Sequence, residues 1–308
     1  MTEKKLLLIV NPKSGTGKMK GHLMSVTEIF SNAGYVVSVY PTKRPGDGTV
    51  RAARVGQDEF DLIVVSGGDG TLNEVVTGLM QSQVQCNLGY IPSGTLNEWS
   101  TSLGIAKSIN KAAKDIVNGK PRSLDIGKFS DRYFTYTASF GAFTAASYSV
   151  PQDIKNVLGQ TAYFFEGIKN LTNIKPIHLG FKCKEREFEG DFLFGAISNS
   201  LSVGGIVKYD KNTVELNDGM FEVFLIRNPN NILKYQPLIN GILKHDFTKE
   251  GMEFFHTDSL TITGGADVSW TLDGEYAQGK DKITIKNIKG GINLIIPDKK
   301  GKLLIEKV

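Results

Sequence analysis

Within the first hundred residues, three apolar runs break into small and polar residues: VNPKSGTGK at 10–18, VVSGGDGTLNEVV at 64–76 and IPSGTLNEWS at 91–100. Glycine tolerates positive φ and lets a bound group come close to backbone N–H groups, and a helix N-terminus favours negative charge. In the second segment Gly67, Gly68 and Gly70 stand between a strand-like and a helix-like pattern, with Asp69 among them. A carboxylate repels phosphate unless a cation lies between the two, so phosphate binding at this loop calls for a metal ion. Taken singly, the second and third segments also fit tight βα turns that lead into a capped helix, with Thr71 as one cap. The first adds Lys13 and Lys18 as phosphate partners, but Pro12 and Met19 stand where a P-loop needs glycine and Ser/Thr. The second is not GxGxxG, because Asn73 occupies the third glycine position. Together, three such loops after strands of one sheet make one polar crevice suited to a nucleotide.

The elements that must hold these loops follow from periodicity. Strand patterns at 6–10, 35–40, 61–66 and 89–92 alternate with helix patterns at 19–32, 51–57, 71–81 and 105–118. Repeated βα units predict a parallel sheet between helix layers, with ligands beyond the carboxyl ends of the strands. After Lys120-Pro121 the texture changes to strand patterns at 132–143, 177–184, 188–198, 220–227, 259–263, 268–272, 282–288 and 292–297. Helix patterns interrupt them at 154–171 and 231–244. The expectation is an α/β domain over 1–122 and a mainly antiparallel β-sandwich over 123–308, whose final strand is a candidate to pack back on the first.

Bulk properties narrow the function classes. A chain of 308 residues usually divides into two cores. A net charge of +4 is too small to imply nucleic acid and suits an anionic substrate or an acidic membrane surface. Cys86 and Cys183 form no CxxC pair, and His22, His178, His245 and His256 have no metal-site spacing. No secretory signal or membrane-spanning run is seen, which predicts a cytoplasmic protein.

The order of these three loops resembles the diacylglycerol kinase catalytic family, which includes bacterial lipid kinases and sphingosine kinases. The likeness continues through LDIG (124–127), ISNSLSVGG (197–205), LNDGMFEV (216–223) and TLDGEYA (271–277), and so covers nearly the whole chain. GGDGT alone is shared with NAD kinases and some phosphofructokinases; the NDG and DGE motifs favour the lipid branch.

The resemblance implies a fold of the NAD kinase/diacylglycerol kinase kind, and ATP and Mg²⁺ as cofactors. ATP phosphates would lie against Gly67, Gly68, Asp69, Gly70 and Thr71, with Asn73 and Glu74 beside them. Asn11, Ser14 and Gly15 would meet the nucleotide from the first loop, and Thr42 and Thr95 would complete its pocket. The general base maps to Asp273, with Glu275 or Asp69 as alternatives. A structural Mg²⁺ would be held by Asp218 and the carbonyls of Glu215 and Met220, with its waters linked to Asp125 and Glu98. Glu98 departs from the family's usual aspartate, which bears on that water shell.

The implied activity is transfer of the ATP γ-phosphoryl group to the hydroxyl of diacylglycerol or a related lipid. The partners would be a lipid at the inner membrane surface and a second copy in a homodimer, without nucleic acid. Tyr163, Phe164, Phe165, Ile168 and Leu171 form either a core stripe or an acyl-chain cleft, flanked by Lys169 and Lys175. Two competing readings are a soluble-metabolite kinase of the NAD kinase kind and a non-catalytic nucleotide or lipid regulator. The first would need a second glycine-rich block of the GxLGF type, and none is present.

Overall fold

The computed structural model describes residues 3–142, 174–203, 207–210 and 214–297. Two compact units divide the chain: Met1–Ile126 with Lys289–Val308, and Gly127–Ile288.

The first unit runs β1 (Lys4–Val10), α1 (Met19–Asn32), β2 (Tyr35–Pro41), α2 (Asp47–Ala53), β3 (Leu62–Gly67), α3 (Asp69–Ser82), β4 (Asn87–Pro92), α4 (Glu98–Ser102) and α5 (Ile109–Asn118). β2, β1, β3 and β4 lie side by side, all parallel, and Asn293 and Leu294 extend the sheet beside Asn87 and Leu88. Every residue of β3 is buried, so both pleat faces are covered; this is why the strand reads as a continuous apolar run. The helices pack in two pairs, α1 with α5 and α2 with α3. α5 turns Ile109, Ala112, Ala113 and Ile116 inward, at the spacing of one helical face. The phosphate-type loops therefore sit where parallel strands end and helices begin.

β5 (Lys120–Phe129) carries the chain into the second unit, and β17 (Lys282–Ile296) carries it back. Between them lie β6 (Arg132–Phe134), β7 (Thr137–Gly141), β8 (Ile177–Lys182), β9 (Glu187–Ser198), β10 (Ser202–Val203), β11 (Val207–Lys208), β12 (Phe221–Arg227), α6 (Tyr235–Lys244), β13 (Met252–Thr257), β14 (Ser259–Thr263), β15 (Ser269–Leu272) and β16 (Glu275–Gln278). Antiparallel pairing links β16, β15, β7, β9, β8, β14 and β17 in that order, and β12 and β13 join along β9. The core is aromatic: the Trp270 ring lies 5.1 Å from that of Phe129 and 4.8 Å from that of Phe140.

The parallel first unit and the mainly antiparallel second one agree with the expected fold class. Several expected elements differ in detail. The run at 132–143 is two strands, parted at Thr135 and Tyr136, where the backbone turns to serve a carboxylate described below. The patterns at 282–288 and 292–297 are one strand, which stays continuous through Gly290 at φ +63°. The helix expected from 105 begins at Ile109, and the short α4 precedes it. The helix pattern at 154–171 and its aromatic stripe lie outside the described residues.

Candidate active site

Three loops of the first unit converge. Asn11, just past β1, donates its backbone N–H to the Ser66 carbonyl at 2.8 Å and its side-chain amide to Thr71 Oγ1 at 3.0 Å. Its own Oδ1 accepts the Lys13 N–H at 3.0 Å, which turns the first loop back on itself. Ser93 and Gly94 donate to the Gly67 carbonyl at 2.8 and 3.2 Å, joining the second loop to the third. The loops touch so closely that a Cβ at Gly94 would stand 2.5 Å from the Gly68 Cα. Gly15, at φ +56°, leaves equally little room, with the Ser93 carbonyl 2.5 Å from a Cβ placed there.

The aspartate of GGDGT serves this convergence. Asp69 opens α3, and its Oδ2 accepts the N–H of Glu98, the first residue of α4, at 2.9 Å. Gly68 caps α3 in an extended conformation and brings no side chain to the first-turn N–H groups. Those donors have no partner within the helix and face outward along its dipole, which suits an anion. Tyr90 supports the loops from below, its hydroxyl 3.3 Å from the Gly67 carbonyl and 3.2 Å from Asn97 Oδ1. Burial first, and the charge of Asp69 second, hold that phenol well above its ordinary pKa, so it stays a neutral donor.

Other sequence-predicted residues fall around the same loops. Glu74 accepts the N–H groups of Gly46 and Gly48 at 2.8 and 3.0 Å, fixing α2 against α3. Thr42 is buried where β2 ends, its N–H bonded to the Val10 carbonyl at 2.8 Å. Ser14 comes near Gly68, Asn73 is half-buried and Thr95 is exposed. Sequence reasoning passed over Tyr90 and Asn97. Asn97 has φ +51° and clamps Gly94 from both sides, accepting its N–H at 3.0 Å and donating to its carbonyl at 2.7 Å. An asparagine three residues after Gly94 at a helix start was the available signal.

In the second unit, Asp273 and Gly274 form the two-residue turn between β15 and β16, with φ +51° and +85°. The Asp273 carboxylate is buried on a concave run of main chain. Oδ2 accepts the Thr135 N–H at 2.6 Å and its Oγ1–H at 2.8 Å; Oδ1 accepts the N–H groups of Tyr136 and Thr137 at 3.0 and 3.1 Å. Burial raises its pKa and outweighs these bonds, which act in the other direction. Glu275, two residues on, is exposed.

The NDG loop gathers oxygens. Asp218 Oδ1 accepts the Met220 N–H at 2.8 Å, and the Met220 carbonyl accepts from Asn287 Nδ2 at 3.0 Å. Burial, and after it the nearby charge of Glu215, raise the Asp218 pKa against the Met220 hydrogen bond. In the first unit Asp125 is fully buried, and its Oδ1 accepts the Gly290 N–H at 2.8 Å. Among the described residues, no group of three or more His, Cys, Asp or Glu side chains gathers at one point.

Comparison with known proteins adds to this geometry. Residues 5–129 match the family described as Diacylglycerol kinase catalytic domain. A protein of Bacillus subtilis (strain 168) named diacylglycerol kinase is 32% identical over 98% of this chain and 99% of its own. A diacylglycerol kinase of Staphylococcus aureus (strain MRSA252) is 30% identical, covering 96% of this chain and 93% of its own. A crystal structure titled as a diacylglycerol kinase of Bacillus anthracis str. Sterne superposes with a TM-score of 0.80 at 25% identity, covering 97% of this chain and 99% of that one.

Proposed function

Because this chain belongs to the diacylglycerol kinase family, we propose that it transfers the γ-phosphoryl group of ATP to the free hydroxyl of diacylglycerol. The observation that carries the reading is the meeting of three glycine-bearing loops at the ends of parallel strands, joined by the Asn11–Thr71 and Asp69–Glu98 hydrogen bonds. In this reading Asn11, Ser14, Gly15, Gly67, Gly68, Gly70 and Thr71 receive the phosphates, while Thr42, Asn73, Glu74 and Thr95 border the nucleotide. Tyr90 and Asn97 keep the loops together and stay clear of the chemistry.

A lipid hydroxyl is a poor nucleophile, so a carboxylate must accept its proton as the O–P bond forms. Asp273, Glu275 and Asp69 are the candidates. Mg²⁺, when bound, supplies charge neutralisation at the transferring oxygens. Asp218, with the carbonyls of Glu215 and Met220, would hold a structural Mg²⁺ in this reading. The acceptor implies work at a membrane surface; among the described residues no helix is long and apolar enough to cross a bilayer.

The test is incubation with radiolabelled ATP, Mg²⁺ and dioleoylglycerol in mixed micelles. Labelled phosphatidic acid is expected. Formation of NADP from NAD in its place would move the protein to the soluble-metabolite reading.

A further inference from the structure

On the kinase reading, whose acceptor is a membrane lipid, we infer that the outward face shared by α1 and α5 is the surface on which this protein meets an anionic bilayer.

The two helix pairs of the first unit differ in charge. Residues 18–32 and 107–118, around α1 and α5, expose five lysines, Lys18, Lys20, Lys107, Lys111 and Lys114, and one carboxylate, Glu28. Asp115 is half-buried and paired with Lys111 at 3.1 Å. Around α2, residues 43–61 expose Lys43, Arg44 and Arg54 against Asp58, Glu59 and Asp61, and α3 exposes no charged side chain. The exposed excess on the α1–α5 pair equals the net charge of the entire chain, +4. The lysines are therefore concentrated here and not spread evenly.

Side-chain bonds make the two helices one surface. Asn110 Oδ1, in the first turn of α5, accepts the Ser25 hydroxyl of α1 at 2.9 Å, and His22 Nδ1 lies 3.3 Å from the same oxygen. Asn110 and Lys114 are four residues apart, as are Lys20 and Met24, so each pair lies along one side of its helix. The inward sides are taken by Val26, Phe30, Ala112 and Ile116, all buried. Met24 faces out and is 81% exposed, an apolar side chain one turn from Lys20.

This pattern suits lipid. A lysine lays its methylenes along an apolar boundary while the ammonium stays among head-group phosphates, and each lysine near an anionic leaflet adds to the attraction. Met24 is a flexible apolar side chain able to enter the head-group boundary. Residues 18–32 and 107–118 hold no arginine, tyrosine or tryptophan, and their one phenylalanine, Phe30, is buried. Nucleic-acid surfaces draw on bidentate arginines and stacking aromatics, which this face lacks.

The experiment is cosedimentation with vesicles of dioleoylphosphatidylcholine, with and without dioleoylphosphatidylglycerol. It compares wild type, Met24→Ser, the α5 variant Lys107→Gln/Lys111→Gln/Lys114→Gln and the control Lys43→Gln/Arg44→Gln/Arg54→Gln. The wild type should prefer the anionic vesicles. The α5 variant should lose about 10²-fold of that partition, Met24→Ser about 5-fold and the control less than about 3-fold. The α5 variant should also lose transfer to dioleoylglycerol held in those vesicles, yet keep the wild-type kcat on monomeric dioctanoylglycerol. Equal losses in the α5 variant and the control, or equal wild-type binding to neutral and anionic vesicles, would overturn the inference. So would a wild-type preference for random RNA over the vesicles that disappears in the α5 variant. A wild type that binds anionic vesicles through the α5 lysines but phosphorylates neither acceptor fails the kinase reading while upholding the surface.

Discussion

The glycine loops of the first unit and the bend at Thr135–Thr137 in the second use the same material, runs of backbone N–H groups gathered at a turn. In the second unit the chain brings its own anion: Asp273 reaches across 138 residues of sequence to Thr135 and fills the nest. In the first unit the nearest carboxylate, Asp69, is turned aside to the N–H of Glu98, and Gly68 brings no side chain to α3. In the proposed reading the contrast is between a nest filled by the chain's own carboxylate and loops of small residues, their carboxylate engaged elsewhere, that receive the phosphates.

That contrast can be broken most sharply at Gly94. Gly94→Ala puts a methyl 2.5 Å from the Gly68 Cα and should push two loops apart, lowering kcat/KM for ATP by about 10²-fold or more. Steady-state kinetics alongside a Tm measurement would show it, and near-normal turnover would mean that the loop contact is incidental. The second-unit counterpart is Asp273→Ala, which strips four donors of their acceptor. A loss of about 3 kcal/mol or more in urea unfolding is expected, since several buried donors lose their acceptor at once. Glu74→Ala should have a smaller effect, about 1–3 kcal/mol, because Gly46 and Gly48 lose a shared acceptor at a half-buried site. If the loss in Glu74→Ala exceeded that in Asp273→Ala, the first unit's loops would depend on their framework more than the comparison allows.

The smallest effect lies away from both nests. Burial pushes the Cys86 thiol up to about 11, from an ordinary value of 9.0. The folded protein therefore keeps a proton that the unfolded chain loses, and stability should fall as pH rises from about 9 to 11. Cys86→Ala should flatten that decline by about 1–2 kcal/mol in urea titrations across the same range, the lower figure reflecting partial exposure of the thiol. An unaltered slope would point to other groups.

The parallel unit was legible because period and punctuation agreed there. Leu6–Val10 and Leu62–Ser66 are apolar on both faces, and each is followed by glycine-bearing segments that lead to a helix. The second unit was legible in class but less so in its joints. Lys120-Pro121 marked a change of texture, yet Pro121 sits near the start of β5, a position where a missing N–H is tolerated. Gly290-Gly291 resembled a turn, yet β17 runs through both. β13 was missed because MEFFHT lacks polar alternation and presents partly buried side chains on both faces. At the candidate site, small residues after strands announced where loops would gather. The Asp273–Thr135 and Asp69–Glu98 bonds join positions 138 and 29 residues apart, and no local pattern records such pairings.

β17 gives the chain an order of assembly. Asn293 and Leu294 complete the first unit's sheet beside β4, although the whole of the second unit, Gly127–Ile288, is synthesised before that point. On the ribosome, the glycine loops would emerge early on a sheet that still lacks one strand. That sheet would keep an open edge along β4 until the second unit had been made, and full affinity for nucleotide would arrive only with the return of the chain.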